Sequence, residues 1–361
     1  QEWKEVIQFE LDRKIKSAHE TVNAIYKKAK RKKIDDQIIK CFFYQSKFLQ
    51  VNDENYQVKV IENLTQEIKN STDSKKAILN YIYASILSNY YQNNRYVIDK
   101  RTDIKNNNSK DFKTWTKSDF QKEIDKTFAT LLKDEDQLHK TKLKNYESIF
   151  EISPFTDGKS ISMYDFLQKK AIDYHFQNAY SLHNEKYKTI FPKLIQNSDE
   201  FVAFKTDTIS DENLKKIIEV FQNNEKYCLK NSNQDIHVLQ YNRMKKFYNY
   251  INDKTIYFSK LTDLENKTKN KYLLQDNQLD VATYYFSISS KEKNENHYPK
   301  VLTLVDTILN RRDNPNAKAE AESLKAEILK KEISLTIHSK IYPNQNYRAF
   351  VEYKNVDTLQ V

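Results

Sequence analysis

The chain has 361 residues, 60 Lys and Arg against 50 Asp and Glu, and a single Gly. Its length exceeds that of a usual single domain, and one Gly cannot serve phosphate loops, dinucleotide fingerprints, propellers or β-sandwiches. A mainly helical chain of two or more units remains, with 25 Tyr and 19 Phe to build its core.

In chain order, Ala18, Val22, Ile25, Tyr26 and Ala29 recur at helical spacing. This helix ends in the run Lys27-Lys28-Ala29-Lys30-Arg31-Lys32-Lys33. Cations are favoured at a helix C-terminus, so the run reads as a solvated helix end rather than a phosphate-binding patch. Asp35 and Asp36 then open a helix with Ile38, Ile39, Phe42, Phe43 and Leu49, completing a helical hairpin. The pattern repeats with Val60, Ile61, Leu64 and Ile68, and again after Ser71-Thr72-Asp73-Ser74 with Ala77, Ile78, Tyr81, Ile82, Ala84 and Leu87. This is the grammar of helical-hairpin repeats of tetratricopeptide type, without their strict consensus.

Residues 93–113, rich in Asn and Lys, read as an exposed loop. Thr116 or Ser118 caps a helix carrying Phe120, Ile124, Phe128 and Leu131, and a shorter helical segment is expected over 143–150. Pro154, Asp157 and Gly158 make a turn, after which Tyr164, Phe166, Leu167, Ala171 and Ile172 mark a buried helix. A second group of hairpins spans 211–332, with breaks expected near Asn231, Asn252-Asp253, Asp276-Asn277, residues 293–299 and Asp313-Asn314-Pro315. Its last helix places Ala317, Ala321, Leu324, Ile328 and Leu329 on one face.

At Ile333 the period falls to two. Ile333, Leu335 and Ile337 alternate with polar residues, a turn is expected over 342–346, and residues 348–353 alternate again around Phe350. The closing Leu359-Gln360-Val361 reads as the middle of a third strand. Two strands make no stable sheet alone, so a further β domain is expected to follow. The expected organisation is residues 1–150 as N-terminal hairpins, 151–332 as a second helical-repeat group, and 333–361 as the start of a β domain.

No catalytic, cofactor-binding or metal-ligating residue is assigned. His175 and His183 could share a helix face near Asp173, but ordinary core or polar histidines account for them better than a metal. His237 and His297 lack neighbouring ligands, and Ser85 and Ser162 lack a nucleophile-elbow context. Asp211-Glu212 and Asp134-Glu135-Asp136 are expected to cap helices, and Tyr90-Tyr91 and Tyr284-Tyr285-Phe286 to fill the core. Cys41 and Cys228 lie among apolar or aromatic residues and read as buried free thiols. Gln1 in place of Met points to a shortened chain or one whose signal peptide has been removed. No nucleic-acid partner is expected, because the basic residues are scattered among acidic and amide ones.

Several phrases in order resemble the N-terminal helical region of the large alpha-2-macroglobulin family proteins of Bacteroidetes-type bacteria. They are residues 77–95 with Asp99-Lys100-Arg101-Thr102 and Thr114-Trp115, then Ser162-Met163-Tyr164-Asp165-Phe166-Leu167 with Ala171-Ile172-Asp173. The last is the junction Ile333-Ser334-Leu335, Tyr342-Pro343-Asn344, Arg348 and Val351-Glu352-Tyr353-Lys354-Asn355-Val356, similar to the family's entry into its first macroglobulin-type β-sandwich. The resemblance implies a non-enzymatic scaffold region of an envelope protein of a Gram-negative bacterium, in the periplasm or at the outer membrane, held to a membrane only through an anchor or partner. It implies protein partners: downstream domains of the same chain, and proteases for the whole protein. Neither Cys41 nor Cys228 lies in the family's CxEQ thioester motif, so no trapping residue is carried over. The motif carriers Trp115, Tyr164, Asp165, Phe166 and Tyr353 are expected to be structural, with Tyr164 and Phe166 buried between helices. The alternative is a free-standing helical-repeat scaffold subunit of an envelope or outer-membrane assembly.

Overall fold

The computed structural model describes residues 2–52, 56–102, 111–150, 161–231, 235–291, 296–337, 343, 346 and 348–358. Among them are sixteen α-helices and one antiparallel pair of strands, so the chain is mainly helical with a short C-terminal β segment. It forms two compact units, Gln1–Asn178 and Ala179–Val361. The turn expected at Pro154, Asp157 and Gly158 and the third strand at 359–361 lie outside the described residues.

The first unit holds α1 (Glu2–Leu11), α2 (Ile15–Lys32), α3 (Asp35–Asn52), α4 (Tyr56–Lys69), α5 (Asp73–Ile98), α6 (Lys117–Leu131), α7 (Glu135–Lys140) and α8 (Met163–Asn178). From α1 to α6 each helix packs on the next, and α3 also packs on α5. Ile39, Leu64, Ile78, Tyr164 and Leu167 meet in one core, and Leu87, Phe112, Phe120 and Phe128 in a neighbouring one. Thr116 caps α6 in a reciprocal box with Asp119, and Ser162 does the same for α8 with Asp165.

With so little Gly, tight joints fall on other residues. Lys33 takes φ 54°, and the amide of Ile34 reaches back to the Ala29 carbonyl at 3.1 Å, closing α2 in a Schellman motif. Arg13, Asp73 and Asn355 are also left-handed, at φ 58°, 52° and 55°. Between α2, α4 and α5 sits the buried carboxylate of Glu67, bonded by the Tyr26 hydroxyl at 2.7 Å and paired with Lys30 at 3.0 Å and Lys75 at 3.6 Å. Burial alone would raise its pKa, but the bonds from Tyr26 and Lys30 and the charges of Lys30 and Lys75 outweigh burial and hold it below the usual carboxylate value.

Two expectations are corrected in this unit. Residues 93–98 are helical, because α5 continues to a fully buried Ile98, supported by the Asn94 amide on the Tyr90 carbonyl and by Arg95 paired with Asp99. The segment expected over 143–150 narrows to a 3-10 turn, Leu143–Tyr146, with Leu143 and Tyr146 buried.

The second unit holds α9 (Phe191–Leu194), α10 (Ser198–Ala203), α11 (Glu212–Asn231), α12 (Ile236–Phe247), α13 (Lys254–Lys267), α14 (Lys271–Lys291), α15 (Tyr298–Leu309) and α16 (Pro315–Leu329). Its charged centre is Arg243 of α12, fully buried with Glu225 of α11. The guanidinium forks onto both Glu225 oxygens at 2.6 and 3.1 Å, donates to the Leu194 carbonyl and to that of Gln196 at 2.9 Å, and lies 3.8 Å over the Phe201 ring. One side chain therefore ties α11, α12 and the turn after α9 together.

The break expected at Asp276-Asn277 is also corrected: both residues lie inside α14, and the chain turns instead between α13 and α14. The polar side chains that suggested a break pair with other elements, Asn277 with the Leu261 carbonyl at 2.7 Å and Asp276 with the Asn314 amide at 2.7 Å. Asn314 in turn caps α16 through the Ala317 amide. Helices α14, α15 and α16 pack on one another around Val301, Val305, Ile308, Ala317 and Ala321. Leu329, expected on that apolar face, is half exposed at the end of α16.

Candidate functional site

Directly after α16 the chain enters β1 (Glu332–Thr336), which pairs with β2 (Phe350–Lys354). Opposed residues of an antiparallel pair share a face. Ile333 opposes Tyr353 and Leu335 opposes Val351, so these four form one apolar face, while Glu332, Ser334, Thr336, Phe350, Glu352 and Lys354 lie on the other. The apolar face is open: Ile333, Leu335 and Tyr353 are 56%, 59% and 63% exposed, and Ile337 continues it at 50%. This contiguous exposed apolar group is the candidate interaction surface of the chain.

The ribbon is held at its base. The Asn355 side chain, just past β2, donates to the carbonyls of Ile328 at 2.6 Å and Lys330 at 3.0 Å, and Lys354 donates to the Glu327 carbonyl at 2.7 Å. The carbonyls of Glu327 and Ile328 belong to the last turn of α16, which has no further helix to bond them, and Lys330 is the residue that caps it.

The dispersed candidates resolve into structure. Helix α8 ends at Asn178, so His175, which is buried, and His183, which is exposed beside Tyr250, do not share a helix. Among the described residues no group of three His, Cys, Asp or Glu is arranged to hold a metal. His237 sits at the start of α12 with its ring 3.1 Å from the Asp235 carboxylate, and the His297 ring lies beside Tyr285. Ser162 is a helix cap, Ser85 is half-buried along α5, and Asp211 caps α11 through the Leu214 amide. Asp134 precedes α7 without a side-chain cap bond. Cys41 and Cys228 are buried, and desolvation pushes the Cys41 thiol up to about 12. Tyr91 is buried, and Tyr90 packs against Phe112 and Phe120. Tyr284 stacks on Phe258 at 3.9 Å, while Tyr285 and Phe286 pack on the α15–α16 core. Of the motif carriers, Tyr164 is buried and Asp165 is a cap. Phe166 is half-buried against Phe150 and Tyr81, Trp115 is half-buried, and Tyr353 stands out on the ribbon.

One cluster escaped sequence reading. The Lys186 ammonium lies 2.8 Å from the Ser210 hydroxyl, which lies 3.0 Å from the Tyr187 hydroxyl. Serine, lysine and tyrosine so arranged could in principle activate the serine. Here the Tyr187 oxygen already accepts the Asp211 amide at 3.1 Å and Ser181 bonds the Asp211 carboxylate, so the group fastens the preceding turn to the start of α11. Ser210 and Lys186 are both exposed. The signal was there as Ser-Asp-Glu before an apolar run, but its partners lie more than twenty residues upstream.

Fold and surface together define a mainly helical chain whose last helix leads into a ribbon with an open apolar face. No family model, curated protein or solved structure matches the chain. No described helix is long and apolar enough to cross a membrane.

Proposed function

We propose that this chain is a non-enzymatic protein-interaction scaffold, the N-terminal helical region of a large alpha-2-macroglobulin-like protein of a bacterial envelope. The observation that carries the reading is the ribbon: β1 and β2 pair where the resemblance expects entry into a β domain, with Ile333, Leu335, Val351 and Tyr353 uncovered. On this reading they are the first strands of a macroglobulin-type sandwich, whose other strands cover that face. Packing of alternate helices, α3 on α5 and α14 on α16, supports stacked helical hairpins of tetratricopeptide type. Proteases would be partners of the whole protein, through parts outside this chain.

The second reading is a free-standing scaffold subunit of an envelope assembly. The open outer edges of a two-stranded ribbon favour it, because such an edge can accept a strand from a partner. The reading frame beyond the codon for Val361 separates the two. β domains with Gly-bearing turns support the first, and a stop codon there contradicts it and supports the second.

A further inference from the structure

A groove of about 460 Å³ lies open between α14 and α16, lined by Leu279 and Thr283 of the first and Ala319, Glu320, Ser323 and Leu324 of the second. It exists because Ala319, Ser323 and Thr283 are too small to fill the space between two helices whose spacing is fixed elsewhere. The Asn314 amide holds Asp276 at 2.7 Å, and both helices pack on α15 in the core that Leu279 and Leu324 also join. The floor is apolar, provided by a buried Leu279 and a half-buried Leu324, and the openings beside Thr283, Ala319 and Ser323 face solvent.

One lining residue, Glu320, is acidic, and its charge acts on Asp276, one turn before Leu279 on α14; Asp280, next to Leu279, is held by side chains of α12. The cation held among them is Lys245, 3.2 Å from Asp280, whose other oxygen accepts the Tyr241 hydroxyl at 2.8 Å. Burial, and then the charges of Asp280 and Glu320, push the Asp276 carboxyl above its usual value despite the Asn314 bond and Lys245. Asp276 thus feels two carboxylates, Asp280 and Glu320, and the one ammonium of Lys245. Bringing up another positive charge relieves that repulsion.

We propose that this groove receives a partner polypeptide presenting one large aliphatic or aromatic side chain flanked by lysine or arginine. The apolar side chain covers Leu279 and Leu324, and the flanking cations face Glu320 and Asp276. Such pairing supplies specificity and association rate, while the buried anchor supplies most of the affinity. The proposal rests on the reading of the chain as a protein-binding scaffold, but it uses a surface other than the ribbon.

The test uses a fluorescein-labelled peptide with a central Trp flanked by Lys, its counterpart with Glu in place of Lys, and fluorescence anisotropy on the whole chain. The Lys peptide is expected to bind at least tenfold more tightly than the Glu peptide. Ser323→Trp, which fills the groove from an exposed position, is expected to weaken it at least tenfold, as is Glu320→Lys, with circular dichroism unchanged. Absence of binding to the unmodified chain overturns the proposal, and so does undiminished binding to Ser323→Trp, which would show diffuse charge attraction elsewhere. Either failure leaves the ribbon's role standing, because that is tested on Leu335.

Discussion

The Asn355 side chain donates to the Ile328 carbonyl at 2.6 Å, closing the end of α16 with a residue from beyond the second strand. This bond and its companion to Lys330 turn a two-stranded ribbon, marginal by itself, into a fixed extension of the helical unit. Asn suits the position because it tolerates φ 55° better than most residues and carries the amide that the helix end lacks. Asn355→Ala is expected to speed amide exchange in 332–336 and 350–354 at least tenfold while moving the global unfolding midpoint little. Unchanged exchange in the strands would mean that the ribbon does not depend on this cap.

At Lys33 the prediction runs toward stability. A non-Gly residue in the left-handed region costs roughly 1–2 kcal/mol, and Gly avoids most of that at some entropic cost. Lys33→Gly is expected to stabilise the chain by about 0.5–1 kcal/mol, the difference between the two terms. Urea unfolding of the two chains measures it, and a destabilised variant would contradict the assigned Schellman geometry.

The buried pair Arg243 and Glu225 behaves as a unit. Arg243→Met strands a buried carboxylate and two carbonyls, and is expected to cost about 3–5 kcal/mol. Adding Glu225→Leu removes the stranded charge, so the double variant is expected to recover much of the loss. A double variant as unstable as the single one would show that the carbonyl contacts at Leu194 and Gln196 matter more than the charge.

Glu67 sets a pH dependence with a definite sign. Its pKa is lower folded than unfolded, so its contribution is complete above the ordinary Glu value of about 4.3 and is lost as the pH falls through the folded value. Glu67→Gln is therefore expected to be less stable near neutral pH, with the gap to the unmodified chain narrowing on acidification. Denaturant midpoints between about pH 6 and pH 3 follow this. A gap that is independent of pH would contradict the ion-pair role.

Much of this was legible in the sequence, and what was not is non-local. Apolar spacing placed α2 to α5 and α16, and the change of period at Ile333 placed the ribbon, because both signals sit within a few residues. Asp276 and Asn277 looked like a break because short polar side chains usually compete for their own backbone. Their partners, Asn314 and the Leu261 carbonyl, come from other helices. Residues 93–98 looked like a loop because nothing local reveals that Ile98 is buried. The groove depends on small residues in two helices some forty positions apart, and the role of Asn355 depends on carbonyls about 25 residues upstream.

The claim on which the reading turns is that the apolar ribbon face is covered in the working protein. Leu335→Cys offers a thiol at an exposed position, while Cys41 and Cys228 are buried and give little background. Maleimide labelling is then compared between the purified chain of 361 residues and the same variant expressed from its own gene in intact cells. The account predicts rapid labelling of the purified chain and labelling at least tenfold slower in the cells. Equal, rapid labelling in both would contradict it.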